Sequence, residues 1–214
     1  MHIHLSETAM EQTIPQLSPD ANPRQNRARL ALGLWFLAVL ALVTVSPPAR
    51  WPIGVLPVYL ATSTFAIGLF VWLTASGRQW ALTVPLKTSV GVHFVRAIIG
   101  AGFVFEASQG RLPHSFSDPV GWGDVVVGVL AVPMALALTN SSPTGARRMA
   151  LLLWNAFALL DILNAQRLGA WHTLHAPDSL IAFAHLPYAL VPTFFVPLVT
   201  LSHLLIFYRL GKGH

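Results

Sequence analysis

His93, Arg96 and Glu106 interrupt one long apolar stretch of the chain, Asp124 interrupts the next, Asn155, Asp161 and Asn164 a third, and His185 and His203 stand near the two ends of the last. An ionisable side chain in hydrocarbon costs roughly 2.5–3.5 kcal/mol on insertion scales, so such groups face the interior of a helical bundle and take partners. At a rise of about 1.5 Å per residue, Arg96 lies about 12 Å and Asp161 about 18 Å from the same end of their respective helices, within reach of an arginine side chain. The spacing therefore predicts an Arg96–Asp161 ion pair. Such a pair has two uses. It can clamp two helices together, or it can sit in a polar cavity that receives a small anionic or amphipathic ligand, with Asp124 or His185 exchanging protons.

The histidines suggest cofactor chemistry as a second possibility. His93 and His203 fall at similar depth on different helices, as a bis-histidine haem requires. His172, His175 and Asp178 recur every three residues and offer imidazole and carboxylate ligands suited to zinc or another divalent ion. The spacing matches no established zinc signature, and Pro177 interrupts the helix that would align the three. The chain has no cysteine, which excludes disulfides, thiolate metal sites and a cysteine nucleophile. It also has no nucleophile elbow, P-loop or dinucleotide fingerprint. The sequence thus leans away from an enzyme.

The elements that must position these residues follow from composition. Of the 214 residues 54% are hydrophobic and 10% charged, against roughly 25% charged in a typical soluble domain. That balance places most of the surface in lipid. The net charge of +5 does not mark a nucleic-acid partner, because the basic residues stand singly or in pairs between apolar runs. Those runs cover residues 30–46, 53–75, 88–108, 120–139, 149–166 and 187–208, most of them near the ~20 residues that a ~30 Å hydrocarbon core demands. The expectation is an all-α integral membrane bundle of six transmembrane helices spanning 30–210. A polar, mobile tail of residues 1–29 precedes it and a short tail, 211–214, follows. The leading segment has acidic residues and no short apolar core with a cleavage site, so it does not read as a secretory signal.

Orientation follows from Lys and Arg in alternate connections. Arg24, Arg27, Arg29, Arg78, Lys87, Arg147, Arg148, Arg209 and Lys212 fall on one side, and only Arg50, Arg111 and Arg167 on the other. Cytoplasmic loops carry the excess, so both termini are expected inside, in a plasma membrane that the arginine-rich composition suggests is a bacterial inner membrane. Trp51, Trp80, Trp122 and Trp171 fall near span ends, where an indole sits at headgroup level. The outer half then collects Glu106, Asp124, Asp161, Asp178 and several histidines.

Helical spacing places His93, Arg96, Gly100, Phe103 and Ala107 on one stripe and Asp124, Gly128, Ala131 and Ala135 on another. Small residues let helices approach closely in lipid, and Gly121 and Gly123 allow the same beside Asp124. Span six is expected to be kinked, because Pro192 and Pro197 release the carbonyls of Tyr188 and Thr193. Free carbonyls at depth need a neighbour, a water or an ion. The functional expectation is a small multi-pass membrane protein with an outward-facing polar cavity that binds or transports a small solute or proton. The alternatives are a metal- or haem-dependent membrane enzyme and a subunit that docks on a membrane protein partner or a second copy.

Overall fold

The computed structural model describes residues 23–138 and 143–212, and among them every regular element is helical. Most of the expected polar tail, Thr139 at the end of the fourth expected span, and the last two residues lie outside the described residues. The helices are α1 (Pro23–Val45), α2 (Val55–Leu73), α3 (Ala75–Thr83), α4 (Leu86–Gly91), α5 (Phe94–Ser108), α6 (His114–Leu136), α7 (Gly145–His175) and α8 (Val196–Lys212). Short 3₁₀ segments cover Pro48–Arg50 and Pro177–Ala184, and a π-helical turn, Val191–Phe195, leads into α8.

Five helical stretches are long and apolar enough to cross a membrane: 55–73, 86–108, 114–136, 145–175 and 191–212. The apolar part of α1, Arg29–Val45, is shorter. The bundle is therefore that of a multi-pass membrane protein. The 191–212 stretch is its centre, with 67% of its apolar window buried against 6% for α2.

Three elements depart from the sequence expectation for identifiable reasons. The fifth apolar run continues as helix to His175, because no residue between Gln166 and Pro177 forbids it; Gly169 is only a weak breaker. At 31 residues α7 is about 46 Å long, more than a ~30 Å hydrocarbon core requires. The third run breaks between α4 and α5. The His93 amide bonds to the Val90 carbonyl (3.2 Å) and the Arg96 amide to the His93 carbonyl (3.0 Å), a local 3₁₀ tightening that re-aims both side chains. Residues 75–83, most of which lie between the second and third apolar runs, form α3, whose first turn is capped by Thr74 Oγ1 accepting from the Gly77 amide (2.9 Å).

Span six holds the clearest correction. Its expected free carbonyls are not free. The Tyr188 carbonyl accepts from the Val191 amide (3.0 Å), and the Thr193 carbonyl accepts from the Tyr59 hydroxyl of α2 (3.3 Å). Local 3₁₀ tightening and one tyrosine thus absorb what the two prolines remove.

The tightest seam joins α5 and α6. A Cβ on Gly100 would lie 2.4 Å from the Gly121 carbonyl oxygen, and one on Gly128 would lie 2.3 Å from the Ala97 amide nitrogen. These backbones touch, and only glycine permits it. Beyond the seam, Trp154 of α7 donates to the Val127 carbonyl (3.2 Å), and Phe103, Phe116 and Phe183 fill the opposite end of the bundle. The effect is to hold α5, α6, α7 and α8 around Arg96.

Candidate functional site: a buried arginine between two aspartates

Arg96 opens α5 and is 2% exposed. Its Nε donates to Asp124 Oδ1 of α6 (2.6 Å), and its Nη2 donates to Asp161 Oδ2 of α7 (2.5 Å). Its Nη1 donates to the Ala158 carbonyl (3.0 Å) and lies 3.2 Å from His203 Nε2 of α8. One guanidinium therefore ties together four of the helices. The partner expected from the sequence, Asp161, is joined by a second carboxylate.

The network continues inward with a defined proton arrangement. Arginine only donates, so His203 Nε2 accepts, and its Nδ1–H donates to Asn155 Oδ1 (2.8 Å). The Asn155 amide in turn donates to the His203 carbonyl (3.0 Å). The His93 ring stacks on His203 with centroids 4.0 Å apart. Ser202 Oγ donates to the Val199 carbonyl (2.9 Å) and therefore accepts from His93 Nε2–H (2.7 Å). His93 Nδ1 is left buried with no hydrogen-bond partner among the described residues.

Gly123 explains how Asp161 comes so near α6. A Cβ there would sit 1.9 Å from Asp161 Oδ1. The glycine-tryptophan-glycine run of residues 121–123 thus admits a helix backbone at Gly121 and a carboxylate at Gly123.

Arg96 and Asp124 also line a cavity of about 320 Å³. Its walls come from α2 (Leu56, Leu60, Ala61), α5 (Ile99, Phe103), α6 (Phe116, Val120), α7 (Ile162, Gln166, Thr173), the 3₁₀ segment (Leu180, Phe183) and the start of α8 (Val196, Val199). Apart from Arg96 and Asp124, the polar side chains on its lining are Gln166, Arg167 and Thr173. It runs from the ion network toward the Arg167–Thr173 stretch of α7. A volume of this order holds a small molecule.

Other residues singled out in the sequence lie elsewhere. Glu106 accepts two hydrogen bonds from Arg111 (2.5 and 2.9 Å) and one from the Tyr188 hydroxyl (3.4 Å), forming a separate pair at the end of α5. The hydrogen bond to Glu106 holds the Arg111 guanidinium's pKa above its ordinary value. Asn164 accepts from Arg167 (2.9 and 3.3 Å) on the surface of α7, and His185 is exposed. Neither reaches Arg96.

The two cofactor readings meet geometric objections. Axial ligation of haem requires imidazole nitrogens aimed at one iron. His93 and His203 instead stack ring on ring, and both His203 nitrogens are taken by Arg96 and Asn155. The metal trio does not converge. His172 is buried with Nε2 beside Ser115 Oγ (3.2 Å) and Nδ1 beside Ser179 Oγ (3.0 Å). The His175 ring stacks on Trp171 and its Nδ1–H donates to the Trp171 carbonyl (2.9 Å), while Asp178 is exposed past Pro177. Among the described residues no group of three His, Asp or Glu side chains is placed to hold a metal ion.

Sequence reasoning missed the roles of His203, Ala158 and the α2 wall. The sequence offers His203 as a haem ligand opposite His93 and not as a partner of Arg96, and the apolar α2 residues carry no signal distinguishing a cavity wall from a lipid-facing surface.

Fold and site together define a class: an all-helical multi-pass membrane protein with a buried arginine–aspartate network at the base of an apolar cavity. Residues 53–211 match the family model described as a domain of unknown function (DUF8737), and the chain belongs to that family. The match takes in α2 to α8 and with them every member of the Arg96 network. No curated protein and no solved structure matches the chain.

Proposed function

We propose that this protein binds a small solute in an outward-facing cavity of a six-span bundle, and that it carries the solute or a proton across a bacterial inner membrane with both termini in the cytoplasm. The observation that supports this reading is the continuity of the cavity with the Arg96–Asp124 pair. A pair serving only as a helix clamp needs no open volume beside it. Buried charges that border a cavity in a membrane protein are typical of solute and ion pathways.

The walls set the kind of solute. They are apolar and aromatic with a few polar groups near the two ends, which suits a molecule with a hydrophobic body and one polar head. The network beneath offers carboxylates for proton exchange at Asp124 and Asp161.

Uptake and pH-dye assays in proteoliposomes test the proposal. Solute-dependent flux is expected from the wild type and is expected to fall at least about tenfold in Asp161→Asn and Arg96→Gln, because an intramembrane charge is lost in each. Ala61→Trp, which fills the cavity without touching the network, is expected to abolish binding while the protein still elutes as a folded species. Wild-type flux in all three variants would refute the proposal.

A further inference from the structure

We infer that the cavity selects an amphipathic cation, a hydrophobic molecule bearing an amine or similar positive group, over an anion of the same shape. The inference rests on the proposed solute-binding role of the cavity and assigns its ligand class.

The first argument is charge balance. Arg96 contributes one positive charge, and Asp124 and Asp161 contribute two negative ones, all with side chains no more than 9% exposed. With both carboxylates ionised the site carries one negative charge more than Arg96 offsets, a deficit that a bound cation or a proton on one carboxylate meets. The remaining groups that face this network do not offset it. His203 accepts from Arg96 and is neutral in that arrangement, and Ala158 contributes a carbonyl, the negative end of a dipole.

The second argument is the hydrogen-bond census of Arg96. A guanidinium has five N–H groups. Asp124, Asp161, the Ala158 carbonyl and His203 occupy four of them. One N–H remains, so an incoming carboxylate cannot form the two-pronged contact that makes arginine an anion receptor. Asp124 is the complement of this. Only its Oδ1 is engaged, and its Oδ2 makes no hydrogen bond among the described residues although the residue lines the cavity. Asp124 thus keeps an unengaged acceptor oxygen, whereas Arg96 keeps a single N–H.

The third argument is the wall. Phe103, Phe116, Phe183 and Phe195 border the cavity, and aromatic faces attract cations as well as apolar surface. Arg167 also borders it, but this residue is exposed and held by Asn164, where water and salt screen its charge.

Three probes with one body and different heads test the assignment: phenylbutylamine, phenylbutanol and phenylbutyrate, titrated calorimetrically at neutral pH into the full-length protein in nanodiscs, with empty nanodiscs subtracted. The amine is expected to bind about tenfold or more tighter than the alcohol, and the carboxylate weaker than both, from the sign of the site's charge. In Asp161→Asn the amine's advantage over the alcohol is expected to shrink to about twofold or less while alcohol binding persists, because the excess charge is gone. Asp124→Asn gives a second reading of the same effect, and size-exclusion profiles verify that each variant is folded. Equal affinities, or preference for the carboxylate, overturn the charge assignment but leave the cavity reading standing. Failure of all three probes to bind the wild type overturns both.

Discussion

At the scale of single residues, the weight of the site falls on Arg96 and on the glycine beside its partner. Removing the arginine alone strands two buried carboxylates, and breaking a buried pair in this way costs about 3–5 kcal/mol. Arg96→Leu is therefore expected to lower thermal stability in detergent sharply. The triple variant with Asp124→Asn and Asp161→Asn should recover most of the loss, since neutral amides need no counter-ion. A triple variant no more stable than Arg96→Leu would show that shape rather than charge balance governs the site. Gly123→Ala acts on the same network from the backbone side. Its new methyl would overlap Asp161 Oδ1, and overpacking of this kind typically costs about 1–3 kcal/mol. Pairing it with Asp161→Ala makes room, so the two changes together should cost less than the sum of each alone, a coupling that thermal unfolding of the four proteins would measure. The pairing of Arg96 with Asp161 was legible in the sequence because depth along a helix is simple arithmetic. The second carboxylate and His203 were not, because helical rise gives depth but not the rotation of one helix about its axis.

At the scale of elements, the α5–α6 seam and the turn before α8 teach different lessons. The seam was legible. Gly100, Phe103 and Ala107 on one helix and Gly128, Ala131 and Ala135 on the other recur at three- and four-residue spacing, and all six are buried. Gly128→Ala is expected to force the backbones apart and destabilise the fold by about 1–3 kcal/mol. Gly33→Ala in α1, where an added Cβ meets nothing within 4 Å, should be neutral or slightly stabilising. Unfolding midpoints of the two variants in the same detergent check this, and equal losses would mean that the seam's close contact carries no special weight. The repair of the proline-rich segment was not legible. The Thr193 carbonyl depends on Tyr59, a residue 134 positions away, and no local pattern encodes such a partner. The length of α7 was hidden for a different reason: hydropathy falls after Gln166 while helical backbone continues, because helix formation needs hydrogen bonds and not apolar side chains.

At the scale of the whole molecule, the fold class followed directly from scarce charge, but the arrangement of that charge carries a claim that remains open to a direct test. Arg78, Lys87, Arg147, Arg148 and Lys212 fall at one end of the helices, and Arg50 and Arg111 at the other. The proposed orientation requires the first group inside, by the excess of positive charge on cytoplasmic loops. It also requires α1 to cross the membrane, although its apolar portion of Arg29–Val45 is short for a ~30 Å core. Because the chain contains no cysteine, single cysteines introduced at Arg50, Arg111, Arg78 and Lys212 would each report one side of the membrane without background. A membrane-impermeant maleimide applied to intact cells is expected to label positions 50 and 111 and to reach 78 and 212 only after permeabilisation. Reversal at all four positions would invert the protein and place the cavity mouth on the cytoplasmic side, turning an uptake pathway into an export pathway. A cysteine added just before Pro23 separates the remaining case. If α1 spans, that position is protected in intact cells together with 78 and 212; if α1 lies on the outer surface, it is labelled together with position 50, and the bundle that positions Arg96 crosses the bilayer five times rather than six.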